Sequence, residues 1–108
     1  MSFPTIKQFY SSGTSWYRIW SDNWCEQGGI SATWKDTSYT ITLLKNFSNT
    51  NYNVQFTPQG TNARGYAITV SAKTVSNFTI IQGQATNTGV STSSNSSASC
   101  WYAYGYIA

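Results

Sequence analysis

A chain of 108 residues and 12.0 kDa has room for one domain, and its 17% aromatic against 8% charged content is the reverse of a disordered composition. It has no His, which excludes imidazole-based catalysis and imidazole metal sites, and its three acids (Asp22, Glu26, Asp36) leave little for a cation site or a paired-carboxylate enzyme. The +3 formal charge comes from Lys7, Arg18, Lys35, Lys45, Arg64 and Lys73, spread without a local cluster, so no nucleic-acid track is expected.

Taken in chain order, period-two alternation dominates, and it places successive side chains on opposite faces of a sheet. Tyr17 and Ile19 face one way while Trp16, Arg18 and Trp20 face the other. After a tight turn at Ser21-Asp22-Asn23 a second arm begins at Trp24, giving a hairpin whose turn is flanked by Trp20 and Trp24. Gln27-Gly28-Gly29 reads as a further turn, and a strand from Ile30 to Trp34 follows it. Tyr39, Ile41 and Leu43 alternate with Thr40 and Thr42. Tyr52, Val54 and Phe56 alternate with Asn53, Gln55 and Thr57. Tyr66, Ile68 and Val70 do the same, and at the end Tyr102, Tyr104 and Tyr106 oppose Trp101 and Ala103. Turns are expected at Ser11-Ser12-Gly13, across Asn46 to Asn51, across Pro58 to Gly65 and at Ser76-Asn77, where Gly, Asn, Asp, Ser and Pro supply turn chemistry. Residues 83–99, rich in Ser, Thr and Asn with Val90 as the one sizeable apolar side chain, read as a long loop. No segment has the caps and period of a substantial helix. The prediction is an all-β chain, an antiparallel sandwich of seven to eight short strands, with residues 1–108 as a single domain.

No run approaches the length of a membrane span, and the opening residues lack the apolar core of a signal peptide. Without a secretion signal, Cys25 and Cys100 are expected as two thiols.

The stretch Trp16-Tyr17-Arg18, then Ser21-Asp22-Asn23-Trp24-Cys25-Glu26-Gln27-Gly28-Gly29, is too unusual for generic hairpin chemistry. It resembles the C-terminal domain of bacteriophage tail-fibre proteins, where a similar signature recurs. Phe47 to Val54 and the terminal Cys100 to Tyr106 support the same resemblance, in the family's order along the chain. The sequence departs from the pattern at Asn23, where Gly is usual; Asn tolerates a left-handed backbone, so the hairpin is expected to survive. The resemblance implies a homotrimeric fibre tip on the virion, assembled in the host cytoplasm. Such a tip recognises a bacterial surface polysaccharide or outer-membrane protein, without catalysis, cofactor, metal, nucleic acid or membrane insertion. Iron held by histidine pairs, as in some other tail-fibre tips, is closed to a chain without His.

Within that frame the hairpin residues Trp16, Arg18, Trp20, Trp24 and Glu26 read as structural. Arg18 and Glu26 are placed to pair across the strands, and the three indoles supply packing or a protomer interface. The candidate ligand contacts are Trp34 with Lys35 and Asp36, a ring beside a donor and an acceptor suited to a saccharide. Arg64 is a candidate for an acidic sugar or a lipopolysaccharide phosphate, or else a solvated loop charge. Tyr102 and Tyr104, in the stripe with Tyr106, suit a glycan or a neighbouring protomer equally. Two other functions fit the same residues: a carbohydrate-binding module or lectin of a cell-encoded protein, and a structural trimerisation cap of a fibre.

Overall fold

The computed structural model describes residues 3–31, 38–58, 65–86, 89–91 and 99–107. Among them the chain forms β1 (Ile6–Ser12), β2 (Ser15–Trp20), β3 (Trp24–Ile30), β4 (Ser38–Thr42), β5 (Asn53–Pro58), β6 (Gly65–Lys73), β7 (Asn77–Thr86), the three-residue β8 (Gly89–Ser91) and β9 (Ser99–Tyr106). One sheet runs β1-β2-β3-β9-β5, and the other runs β4-β7-β6 with β8 added on β7. Every pairing is antiparallel. The fold is therefore the expected all-β sandwich.

The alternation decides the layers. Tyr17 and Ile19 of β2, Cys25 and Gln27 of β3, and Trp101 and Ala103 of β9 point into the space between the sheets. Ile41 and Leu43, on and just beyond β4, and Phe78 and Ile80 of β7 meet them from the other side, and Phe47 and Tyr52 close one end. Phe78 is fully buried and meets both Phe56 (ring centroids 5.8 Å) and Trp101 (5.6 Å) edge-on, joining the two sheets at the centre.

The turns follow local chemistry. Gly13, with φ 61°, opens the two-residue link from β1 to β2, the dihedral a II′ hairpin turn demands of its first residue. Asn23 takes φ 70° in the turn from β2 to β3, donating its N–H to the Trp20 carbonyl at 2.9 Å, while Asp22 Oδ1 accepts from Trp24 N–H at 3.1 Å. The side chain of Asn23 also accepts from Lys7 Nζ at 2.7 Å, tying β1 to the turn.

Several boundaries differ from the sequence reading, Pro58, Gly65 and Asn77 among them, which lie in strands rather than turns. Gln27-Gly28-Gly29 is no turn: all three residues lie buried within β3, where the glycines provide space rather than unusual dihedrals. Ser11 and Ser12 belong to β1, and the turn is the two-residue link at Gly13-Thr14. The strand expected from Ile30 does not begin there. β3 ends at Ile30, and Ser31 locks the end of the ladder, its N–H donating to Ser99 O (2.8 Å) and its Oγ accepting from Ser99 N–H (2.9 Å). Part of the 83–99 segment is strand, since β7 continues to Thr86 and β8 pairs back upon it. β1 is an edge strand whose seven residues are all exposed, with Phe9 at 62%.

Cys25 and Cys100 are thiols, held apart along the sheet by pairing with Gly105 and Ile30 respectively. Burial pushes the Cys25 thiol up to about 11, which keeps it protonated and unreactive.

Candidate functional site

The face of the five-stranded sheet turned away from the core collects the other half of each alternation. Across it the register sets Trp16 beside Gly28 and Gly28 beside Tyr102. Arg18 falls beside Glu26, and Trp24 beside Tyr106. The result is a belt of rings: Trp16–Tyr102 at 6.2 Å, Tyr102–Tyr104 at 5.2 Å, Trp24–Tyr104 at 5.8 Å and Trp24–Tyr106 at 5.0 Å between centroids.

Glu26 sits within the belt as an acceptor of four hydrogen bonds. Arg18 Nε and Nη2 donate to Oε1 and Oε2 at 3.2 and 3.0 Å, Trp20 Nε1 donates to Oε1 at 2.6 Å, and the Tyr102 hydroxyl donates to Oε2. The Arg18 guanidinium lies over the Trp16 and Trp20 rings, 5.6 and 5.7 Å from their centroids. Partial burial disfavours the Glu26 carboxylate, but the hydrogen bonds from Tyr102, Arg18 and Trp20, with the Arg18 charge, outweigh it and hold the carboxyl below its ordinary value. Burial first, and then the bond to Glu26, push the Tyr102 hydroxyl up to about 12. A carboxylate this fully engaged is a lock between β2, β3 and β9. The only other acid among the described residues, Asp22, caps a turn.

The lock has a pH signature. A depressed folded-state pKa contributes stability that is complete above the ordinary value of 4.5 and is lost as pH falls through the lower folded value. Glu26→Gln is expected to cost about 1.5–3 kcal/mol near neutral pH, the scale of hydrogen bonds to a charged group. The gap between the two proteins is expected to narrow in acid, which thermal unfolding across a pH series measures.

A second feature lies where the belt meets the 44–52 loop. This loop has no regular secondary structure, yet the core pins it. Gln27, 0% exposed, accepts from the N–H groups of Leu44 (3.0 Å) and Lys45 (3.2 Å) through Oε1 and donates to the Lys45 carbonyl (2.8 Å) through Nε2. Ser48 donates both its N–H and its hydroxyl to the Tyr106 carbonyl, each at 3.0 Å. The Tyr52 ring stacks on Phe47 at 4.3 Å, and its hydroxyl lies 2.8 and 2.9 Å from the carbonyls of Thr74 and Asn77. Between this loop and the end of β9 is a cavity of about 170 Å³. Trp24, Tyr104 and Tyr106 supply its aromatic lining, Ser48, Asn49, Asn51 and Asn53 its polar lining, and Tyr52 and Gly105 complete it. A shallower cavity of similar size lies along β5 and β9, by Gln55, Thr57 and Tyr102.

Of the residues singled out in the sequence, the structure puts Tyr104 on the groove wall and Tyr102 in the Glu26 lock. Trp16, Arg18, Trp20 and Glu26 assemble as the hairpin reading placed them, whereas Trp24 turns to Tyr104 and Tyr106 and lines the groove. Trp34, Lys35, Asp36 and Arg64 lie outside the described residues. Sequence reasoning missed Ser48, Asn49, Asn51 and Asn53. Their signal was Asn at every second position running into β5, within a stretch read as a turn, a strand start and a family likeness but not as a site. Among the described residues no group of three or more His, Cys, Asp or Glu is placed to hold a metal ion.

Compared with solved structures, the chain is similar to an N-truncated R2-type pyocin tail fibre, with a TM-score of 0.60 and 16% identity over 96% of this chain. The chain spans 38% of the length of that fibre chain. The two share a fold. No protein-family model and no curated protein matches the chain.

Proposed function

We propose that the chain is a host-recognition module of a phage tail fibre, which binds a bacterial surface glycan or outer-membrane component and catalyses nothing. The observation that carries this reading is the fold shared with a pyocin tail fibre over 96% of the chain. The hairpin signature and the aromatic belt on the outer sheet face point the same way. Rings with an apolar body and a polar tip suit a surface that is part sugar and part water. The reading includes a homotrimer at the fibre tip of the virion. Support for protomer contact comes from Ile6, Phe9 and Tyr10 on the edge strand β1, all exposed. Three copies on each of several fibres convert weak single-site binding into avidity.

The test is to graft the chain onto the fibre of a phage with a different host and score adsorption over a panel of bacteria. Host range that moves with the graft is the expected result. Adsorption that stays with the recipient phage sinks the reading and leaves a structural cap. Light scattering of the isolated chain, expected to give the mass of three copies, tests the oligomer separately.

A further inference from the structure

From the groove beside Trp24 we infer a subsite for a single uncharged pyranose unit, an inference that rests on the glycan-binding reading above. Size comes first: about 170 Å³ lies below the ~300–1,000 Å³ of pockets that enclose drug-sized ligands. It suits one sugar ring with its neighbours in solvent. The mixed lining then matches the mixed surface of a sugar, part C–H and part hydroxyl. Trp24 and Tyr106 meet nearly edge-to-face at 77°, and Tyr106 is 51% exposed. A ring held in this way presents its surface to the C–H face of a pyranose. Beside the rings stand Asn51 and Asn53, with Asn53 directly across the strand pair from Tyr104, both exposed and with no side-chain hydrogen bond among the described residues. Each amide offers both a donor and an acceptor, as each sugar hydroxyl does.

Charge narrows the class. Among the described residues no Lys, Arg, Asp or Glu lines the groove. Lys73, the nearby cation, is not part of the lining; its Nζ donates to the Tyr52 carbonyl at 2.8 Å and lies over the Tyr52 ring. A uronic acid or a phosphorylated sugar would find no ion-pair partner in the lining, whereas a neutral hexose or an N-acetylhexosamine needs none. The wall is also set before a ligand arrives. Gln27 and Ser48 fix the loop through main-chain atoms, and the Asn49 side chain accepts from Asn51 N–H at 2.8 Å. Binding therefore avoids most of the ordering cost that a flexible loop exacts.

The experiment is an NMR titration of the chain with methyl glycosides of glucose, galactose, mannose and N-acetylglucosamine, with galacturonate as the charged probe. Trp24→Phe identifies the Trp24 indole signal. At least one neutral glycoside is expected to shift that signal at millimolar concentration while galacturonate does not, and Asn51→Ala with Asn53→Ala is expected to weaken binding about tenfold. Both asparagines are exposed, so the variant should keep the wild-type spectrum elsewhere. If galacturonate binds better, if no neutral glycoside moves the Trp24 signal, or if the double variant binds unchanged, the inference is overturned. Cell adsorption separates this from the broader reading. Wild type and double variant coating bacteria equally overturns the groove alone, whereas a wild type that shifts at Trp24 but coats no bacterium overturns host recognition.

Discussion

Replacing Gln27 with Leu is expected to lower stability by about 3 kcal/mol, and to speed hydrogen exchange at the Leu44 and Lys45 amides well beyond the rest of the chain. The Gln27 side chain is completely buried and satisfies three main-chain groups of the 44–52 loop, two N–H and one carbonyl. Leu restores most of the volume and adds apolar contact, a gain of about 1–2 kcal/mol. Against that, three desolvated groups lose their partners at about 1–3 kcal/mol each, so the loss wins. Gln27→Glu separates the parts. It keeps the acceptor for Leu44 and Lys45, loses the donor to the Lys45 carbonyl and buries a charge, so its cost should ease as the carboxyl becomes protonated. Denaturant unfolding reads the stability, and residue-resolved exchange reads the loop. Uniform acceleration across both sheets would contradict a role centred on the loop.

Gly28→Ala is expected to cost about 2 kcal/mol, although alanine is ordinarily the better strand residue by ~0.5–1 kcal/mol. An added Cβ would stand 2.7 Å from the Trp101 carbonyl oxygen and 3.2 Å from two atoms of the Trp16 indole. The nearest obstacle is main chain in the adjoining strand, so relief requires β3 and β9 to part or the indole to leave its place across the glycine. The intrinsic preference is too small to offset that. Gly13→Ala is a useful contrast, because nothing lies within 4 Å of its added Cβ and only the φ of 61° resists it. Its cost should be about 1 kcal/mol and should leave the Trp16 signal unmoved. Tryptophan fluorescence with thermal unfolding tells the two apart: Gly28→Ala should alter the native emission, Gly13→Ala only the midpoint.

The same glycine marks where sequence reading failed. Tyr52-Val54-Phe56 and Tyr102-Tyr104-Tyr106 were legible as strands because their two faces differ in chemistry, and the structure places them as the alternation requires. The Arg18–Glu26 pairing was legible for the same reason, since a three-residue turn fixes the register of its hairpin. Gln27-Gly28-Gly29 was not. One polar residue and two glycines carry the composition of a turn, and only tertiary context shows that Gln27 is a core residue and that the glycines make room for two indoles. β1 and β7 were obscure because β1 has no buried face and β7, central in its sheet, carries apolar neighbours such as Ile80 and Ile81 in succession. The groove was illegible for a different reason. Its walls come from three separate stretches, at Trp24, at residues 48–53 and at the end of β9, and no local pattern announces that they converge.

The anchoring of the 44–52 loop separates inheritance of shape from inheritance of preference. Of the loop Gln27 holds main-chain atoms only, and Ser48 bonds the main chain of Tyr106. The side chains of Asn51 and Asn53, which line the groove, are exposed and contribute no side-chain bond to that anchoring. Mutational drift at these positions is therefore nearly neutral for folding while it rewrites the donors and acceptors facing the groove. On the proposed reading, a lineage carrying this scaffold samples new ligands one substitution at a time without passing through an unfolded ancestor.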